Sequence, residues 1–392
     1  MNTDTTTRKR ILTGDRPTGR LHLGHYVGSV RDRVALQYDY DTFVIVADVQ
    51  ALTTNFDRPE GLARDVRQVA LDNLAAGMDP AACTIFVQSL VPAIAELTVL
   101  YSMLVTVNAL RHNPTIKTEA AQRGYTDLTY GFLGYPVSQA ADITFCRAHL
   151  VPVGDDQMPH IELTRRVVRR FNELYRLPGG EAVFPVPEGR VGRMGRLVGL
   201  DGQAKMSKSL DNCIYLDDTP AEVARKVRQA VTDPARVHAG DPGHPEVCTV
   251  FAYHQAVNEG ATDSSAPAGS AAPAGSAAAP AGSATPTLAQ ELEELCRAGR
   301  IGCVACKEQL TRAINDLLAP MHERRAPYLA HPARIDEILA EGTRRARAEG
   351  EETMRRVRQA VRIDYFPLPP GEEPPPALSF LAAPAFAHSF VP

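Results

Sequence analysis

Short apolar runs that alternate with helical patterns constrain the fold of this chain more than any other feature. Buried strands are predicted at residues 10–13, 42–47, 84–88 and 150–153, where the runs are short and bounded by turn residues. Helices are predicted at residues 24–37, 59–76, 137–147 and 157–174. Strands separated by helices pack as a parallel sheet with right-handed crossovers, so an α/β fold is expected.

Polar or small residues follow the first two strands closely. Gly14 comes directly after the first, and Asp48 and Gln50 come just after the second. Ligands of parallel sheets bind at the carboxyl ends of the strands. These residues therefore predict a binding site at that edge.

The chain divides by composition. Residues 1–9 form a polar tail, residues 10–215 carry the α/β pattern, and residues 216–365 are predicted to be mainly helical. Residues 262–286 are almost entirely Ala, Pro, Gly and Ser, with Pro-Ala-Gly-Ser repeated three times, and they predict a disordered insert. Residues 366–392 are rich in proline and are also predicted to be disordered.

Charge and cysteine usage limit the possible partners. The net charge is only −4 over 392 residues, and the arginines of residues 344–362 are interleaved with glutamates as on a solvated helix, so composition does not indicate a nucleic-acid partner. No apolar run is long enough to cross a membrane, and a cytoplasmic location is expected. The seven cysteines are an odd number, so burial or metal binding is a better explanation for them than disulfides.

Two short motifs carry groups suited to a triphosphate. His22 and His25 lie one turn apart around Gly24 at a predicted helix start, where backbone amides attract anions. Lys205 and Lys208 lie in a polar loop that can close over phosphates. Taken alone, the histidines could equally be a surface pair or half of a metal site, and the lysines a solvated loop.

The two motifs resemble signatures of a known enzyme class. Residues 20–25 (RLHLGH) and 204–209 (AKMSKS) are similar to the HIGH and KMSKS signatures of class I aminoacyl-tRNA synthetases. Further lines resemble the tryptophanyl-tRNA synthetase family: TGDRPTG at 13–19, VADVQALT at 46–53, YPVSQAAD at 135–142, VPVGDDQ at 151–157 and ELTR at 162–165. The resemblance covers residues 10–365. It implies a Rossmann-like, doubly wound catalytic domain followed by a helical anticodon-binding domain.

The resemblance also implies site residues. His22, His25, Lys205 and Lys208 are the candidate catalytic residues. The candidate ATP-binding residues are Arg16, Pro17, Thr18, Gly24, His25, Lys117, Gly154, Asp155, Asp156, Lys205, Met206, Ser207, Lys208 and Ser209. The candidate tryptophan-binding residues are Gly14, Gln50, Tyr135, Gln139, Asp142 and Gln157.

Asp142 lies inside an apolar helix and needs a donor partner, because an unpaired buried carboxylate is costly. The resemblance implies that this donor is the indole N–H of tryptophan. The alternative is that Asp142 has a structural role and pairs with a backbone amide or with an arginine such as Arg147. Gln139 replaces a methionine found in many members, and Gln50 stands where a histidine is frequent. These departures indicate a subgroup.

The implied activity is tryptophan–tRNA ligation with ATP and Mg²⁺, and tRNA(Trp), L-tryptophan and a second copy of the chain are the implied partners. Neither a membrane nor DNA is expected. Three alternatives stay open: tyrosine specificity, a small-molecule nucleotidyltransferase, and a synthetase-like regulator. Such a regulator usually has altered catalytic signatures, whereas both the histidine motif and the lysine motif are intact in this sequence.

Four cysteines form a separate group. Cys296, Cys303 and Cys306 are closely spaced, and 47 residues separate Cys248 from Cys296, of which 22 remain without the 25-residue insert. This C-x22-C-x6-C-x2-C arrangement resembles a tryptophanyl subgroup that carries a [4Fe-4S] cluster. Spacing alone fits zinc as well, or no metal. Cys83, Cys146 and Cys213 lie among apolar residues and are predicted to be inert thiols.

Overall fold

The structure, a computed structural model, describes residues 8–192, 197–203, 206, 210–258 and 287–365. Its strands are β1 (Arg10–Asp15), β2 (Asp41–Val46), β3 (Cys83–Val87), β4 (Leu150–Val153) and β5 (Glu188–Val191). Its helices up to β5 are α1 (Leu23–His25), α2 (Arg31–Leu36), α3 (Asp48–Asn55), α4 (Leu62–Ala76), α5 (Pro92–Ser102), α6 (Val107–Arg111), α7 (Pro114–Arg123), α8 (Tyr130–Thr144) and α9 (Met158–Leu174). Those after β5 are α10 (Pro220–Gln229), α11 (Thr249–Asn258), α12 (Leu288–Arg297), α13 (Cys303–Ala330) and α14 (Ala333–Val361).

The strands form one sheet in the order β3-β2-β1-β4-β5, and every neighbouring pair is parallel. The predicted α/β fold with a parallel sheet and a helical region after it is confirmed. The order reverses at β1, so the crevice beside the carboxyl end of β1 is the expected ligand site.

Helices cover both faces of the sheet, because side chains alternate along each strand. Phe43 and Ile45 of β2 join a core with α5, α8, α9 and α14. Val44 and Val46, one residue along, join a second core with α4 and α13. The central strands therefore have no polar face.

Several elements differ from the predictions. β5 was not predicted, because its residues are exposed or only partly buried and show no apolar run. Helix α8 begins at Tyr130, seven residues before the predicted start, with Thr129 accepting the Phe132 N–H at its cap. Helices α5, α6 and α7 fill a stretch for which no elements were predicted.

The helical region packs back onto the sheet. Helix α14 lies against β3, where a Cβ added to Gly342 would sit 1.9 Å from the Ile85 carbonyl oxygen. The neighbouring Thr343 accepts the Val87 N–H at 3.2 Å. The predicted domain boundaries stay predictions, and both predicted disordered segments lie outside the described residues. Within the described ranges, none of the helices has the length and apolar character needed to cross a bilayer.

Candidate active site

Gly14 lies within β1, which runs to Asp15 instead of ending at residue 13 as predicted, and the turn after it contains Arg16, Pro17 and Thr18. A Cβ added to Gly14 would lie 2.0 Å from the Ile45 carbonyl oxygen, so only glycine fits this strand pairing. The Thr18 N–H donates to the Arg16 carbonyl at 2.9 Å, which makes the turn tight. The Arg16 guanidinium lies 5.1 Å from the centre of the Tyr135 ring. Residues predicted to bind ATP and tryptophan are thus neighbours.

His22 and His25 lie together at the start of a helical segment, as predicted. His22 is the N-cap of α1 with an extended backbone, and its N–H donates to Nδ1 of His25 at 3.2 Å. The two ring centres are 3.8 Å apart. The helix continues through a π-helical turn, Tyr26–Val30, into α2. Such turns are frequent at functional sites.

Met206, which lies between the predicted lysines, and the chain that follows them meet the histidine motif. The Leu23 N–H donates to the Ile214 carbonyl at 2.9 Å, and the Leu216 N–H donates to the Leu21 carbonyl at 3.0 Å. The Gly24 N–H donates to the Met206 sulfur at 3.2 Å, and Met206 is buried. The predicted site residues Lys205, Ser207, Lys208 and Ser209 lie outside the described residues.

Asp142 lies on α8, is only 4% exposed, and accepts hydrogen bonds on both oxygens. Gln88 Nε2 donates to Oδ1 at 2.7 Å, and Gln50 Nε2 donates to Oδ2 at 3.3 Å. Burial raises the pKa of Asp142 to about 7 even though these amides act in the opposite direction. Arg147, the alternative partner considered from the sequence, instead pairs with Glu349 at 2.7 Å.

Tyr135 and Gln139 lie on the same face of α8 as Asp142, since helix residues four and seven apart align. The Tyr135 hydroxyl is 2.9 Å from His160 Nε2, and burial together with the nearby Arg16 lowers the pKa of His160 to about 4. Gln139 Nε2 donates to Gln157 Oε1 at 3.4 Å. Gln50 donates to Asp142 and to the Tyr135 carbonyl, so these three predicted tryptophan-binding residues are connected, while Gln139 and Gln157 form a separate pair.

Lys117 lies on α7, close to the turn after β4. The Thr115 hydroxyl of α7 donates to the Asp156 carbonyl at 3.2 Å. Lys117, Asp155 and Asp156 are exposed, and Gly154 is half-buried. The structure thus brings these predicted ATP-binding residues to the carboxyl end of β4.

Two open cavities flank the turn after β1. One, of about 270 Å³, is lined by Pro17, Thr18 and residues of α3 and α4. The other, of about 320 Å³, is lined by Gly19, Arg20 and Tyr215 among others. Neither is lined by Asp142, and both lie beside residues of the turn after β1.

The sequence and the fold match known proteins throughout. Residues 4–271 match the family described as tRNA synthetases class I (W and Y). The tryptophan–tRNA ligase of Treponema pallidum is 45% identical over 361 residues, which is 92% of this chain and 98% of that protein. The chain belongs to the tryptophan–tRNA ligases, a family of class I tRNA synthetases.

Further relatives support the assignment of this synthetase to the family. The tryptophan–tRNA ligase of Streptococcus pyogenes is 43% identical over 368 residues, with 92% of this chain and 100% of that protein covered. The tryptophanyl-tRNA synthetase of Campylobacter jejuni, solved with ADP and tryptophan, superimposes with a TM-score of 0.70 at 27% identity and covers 90% of this chain and 99% of that one. The family indicated by the motifs is therefore confirmed, and the protein is an enzyme of this class.

The four cysteines predicted as metal ligands lie in the helical region of the synthetase. Cys248 precedes α11, Cys296 lies near the end of α12, and Cys303 and Cys306 lie in the first turn of α13. Burial is the main cause that raises the pKa of the Cys306 thiol to about 12, and the thiols of Cys248, Cys296 and Cys303 add to this effect. In the described part of the chain, no three His, Cys, Asp or Glu side chains are arranged to hold a metal ion. The predicted iron-sulfur or zinc site is therefore not supported by a formed metal-binding geometry.

Sequence reasoning missed polar residues that support the site. Gln88 was assigned to the end of a strand, yet its amide contacts Asp142. The signal was available, because Gln88 follows a buried strand just as Asp48 and Gln50 do. Arg33 is fully buried and pairs with Asp15 at 2.7 Å. Burial alone would raise the pKa of Asp15, but Arg33, with help from His25 and Asn73, lowers it overall.

Proposed function

We propose that this synthetase activates L-tryptophan with MgATP at the carboxyl edge of the sheet, with the triphosphate beside His22 and His25 and the indole against Asp142. The observation that supports this most directly is the backbone pairing of residues 21–23 with residues 214–216, joined by the contact between Gly24 and Met206. This pairing and this contact bring the histidine motif together with Met206 of the lysine motif and with the residues that follow that motif. A nucleotide bound there would meet both motifs.

In the first step, a carboxylate oxygen of tryptophan attacks the α-phosphorus of ATP, and the bond to the departing pyrophosphate breaks. Negative charge grows on the phosphate oxygens. We assign the donors that stabilise it to His22 and His25, to Lys205 and Lys208, and to Lys117. The attacking carboxylate is already ionised, so positioning takes the place of a protein base.

In the second step, the terminal 2'-hydroxyl of tRNA(Trp) attacks the carbonyl carbon of the adenylate, and AMP leaves with the bonding electrons. The product is tryptophanyl-tRNA. We propose a cytoplasmic location for the enzyme because this product is consumed in translation.

We assign recognition of the indole N–H to Asp142. A carboxylate accepts an N–H strongly when it is ionised, and the amides of Gln50 and Gln88 favour the ionised form. A tyrosine hydroxyl could also donate to a carboxylate, so this contact alone does not separate the two amino acids. The shape of the pocket around α8 has to supply the remaining selectivity.

The experiment is ATP–pyrophosphate exchange with tryptophan and tyrosine compared side by side. Exchange that depends on tryptophan and not on tyrosine is expected. The chain contains no tryptophan, so binding of the free amino acid can also be followed by its own fluorescence. Exchange with tyrosine alone would reassign the substrate, and no exchange with either would favour a regulator or another nucleotidyltransferase.

We propose a homodimer built on the face formed by α5, α6 and the start of α8. Its exposed apolar side chains include Val99 at 59%, Met103 at 72%, Val107 at 57% and Tyr130 at 80%. Contiguous exposed apolar residues of this kind are typical of protein interfaces, and identical chains associate most often as two-fold dimers.

We propose that the four cysteines hold a [4Fe-4S] cluster, with zinc as the alternative. The thiols of Cys248, Cys296 and Cys303 each influence Cys306, so the four are neighbours. Arg236 Nη1 lies 3.6 Å from the Cys296 sulfur, and an N–H donor to sulfur is typical of the surroundings of such clusters. If a cluster is bound, Cys248, Cys296, Cys303 and Cys306 would hold it as thiolate ligands. It would supply structural support and no step of the reaction.

A further inference from the structure

A buried carboxylate holds the backbone immediately before the histidine motif. Asp72 of α4 is fully buried, and its Oδ2 accepts the Leu21 N–H at 2.7 Å. Leu21 is bonded directly to His22, the N-cap of α1. The position of Asp72 therefore helps to set where the first histidine begins.

Asp72 depends on a residue from the helical region. Its Oδ1 accepts from Gln68 Nε2 at 2.9 Å and pairs with Arg325 of α13, which is 6% exposed. A buried carboxylate that loses its cation either protonates or moves, because an uncompensated charge is costly there. Burial already raises the pKa of Asp72, and Arg325 acts against that change.

The adjacent residue of α4 supports the other side of the motif. Asn73 accepts from Arg33 Nη1 at 3.1 Å and donates to Asp15 at 3.2 Å. Arg33 lies on α2, beyond the histidines. Helix α4 thus contacts the chain before the motif through Asp72 and the chain after it through Asn73. Of these two contacts, the one through Asp72 involves the helical region.

We propose that Arg325 is a positioning residue for adenylate formation: its contact with Asp72 keeps that side chain aimed at the Leu21 N–H, and so fixes the start of the histidine motif from the helical region. This rests on the proposed role of His22 and His25 at the triphosphate. Arg325 touches neither substrate. Its effect passes through one carboxylate and one backbone amide.

The test uses Arg325→Met, Asp72→Asn and the double variant in ATP–pyrophosphate exchange. Arg325→Met should lower kcat about tenfold and leave the KM for tryptophan nearly unchanged. Asparagine is neutral but can still accept the Leu21 N–H through Oδ1, so it does not need the cation. The double variant should therefore recover most of the lost kcat, whereas Asp72→Asn alone leaves the buried Arg325 unpaired and should be slower than the double variant.

A matched control is Arg324→Met. Arg324 is the neighbouring, exposed arginine, and its Nε donates to the Ala75 carbonyl of the same helix α4 at 2.8 Å, away from Leu21. Its kcat should stay at the parent value. If Arg325→Met fails to fold, Arg325→Lys retains the charge without the planar guanidinium and should show a smaller loss in kcat with unchanged tryptophan binding.

Two results would overturn the proposal: a parent-like kcat in Arg325→Met, or a double variant no faster than Arg325→Met. The second would mean that Arg325 acts through overall stability. Failure of the proposed function is distinct from both, since the parent enzyme itself would then show no tryptophan-dependent exchange.

Discussion

The Gly24 N–H donates a hydrogen bond to the Met206 sulfur at 3.2 Å. Gly24 separates the two histidines, and Met206 lies between the predicted lysines in sequence. Sequence positions 182 residues apart are thereby in direct contact. This contact is the basis for expecting that histidines and lysines act on one triphosphate.

Replacing Lys208 with alanine should slow adenylate formation about 100-fold, because one donor to the developing phosphate charge is lost. Tryptophan affinity should hardly change, since the proposed amino-acid site lies at Asp142, on another element. Pyrophosphate exchange measures the first quantity, and a fluorescence titration with tryptophan measures the second. Lys9→Ala, at an exposed lysine on the amino side of β1, is the control. A full exchange rate in Lys208→Ala would refute the role.

Tryptophan affinity should fall as the pH decreases through about 7, because Asp142 becomes protonated there and accepts the indole N–H less strongly. Fluorescence titrations over this pH range provide the measurement. An analogue in which sulfur replaces the indole N–H should bind more weakly and show little of this pH dependence. Equal pH profiles for both ligands would argue against Asp142 as the acceptor.

Asp142→Asn should raise the KM for tryptophan about tenfold, because a neutral amide oxygen accepts the indole N–H less strongly than a carboxylate does. The raised pKa of Asp142 also means that its carboxyl stabilises the unliganded fold at low pH, and that this stabilisation is lost as the pH rises through about 7. Thermal unfolding of Asp142→Asn should lack that pH component. An unchanged KM would contradict the assignment.

Met103→Asp should shift the enzyme from dimer to monomer, because a charge placed in the apolar face of α5 and α6 opposes its burial. Light scattering after size-exclusion chromatography reports the mass. Val237→Asp replaces a side chain that is 79% exposed and lies apart from that face, and it should leave the dimer intact. A monomeric parent enzyme would exclude the proposed interface.

Protein purified without oxygen should be brown and contain iron and sulfide. Cys303→Ser and Cys306→Ser should each lose the colour, because each removes one of four thiolate ligands. Cys83→Ser, at a buried thiol that donates to the Asp79 carbonyl, should retain it. Colourless parent protein with one zinc per chain would instead support the zinc alternative.

The sequence predicted those parts of the fold that bury regular apolar patterns. β3 is buried throughout and β2 is buried after its first residue, and their apolar runs predicted them within about one residue. β5 could not be found this way, since an edge strand with Glu188 and Arg190 has no apolar run. Tertiary pairing stabilises it where local preference does not.

Candidate site residues could be proposed from the sequence where one short segment carries the chemistry. His22, Gly24 and His25 could be assigned because all three contribute to one turn of chain. Arg325 could not, because its partner Asp72 is 253 positions away and a lone arginine in a helix is indistinguishable from a solvated one. Sequence spacing does not encode such a pair.

Helix α14 seals the edge strand β3 through the close approach of Gly342 to Ile85. A fragment that ends at residue 215 would therefore expose the unpaired backbone groups of the edge strand β3. It would also leave Asp72 without its partner Arg325. An active fragment of this enzyme is therefore expected to extend to the end of α14, because that helix completes the core on one face of the sheet.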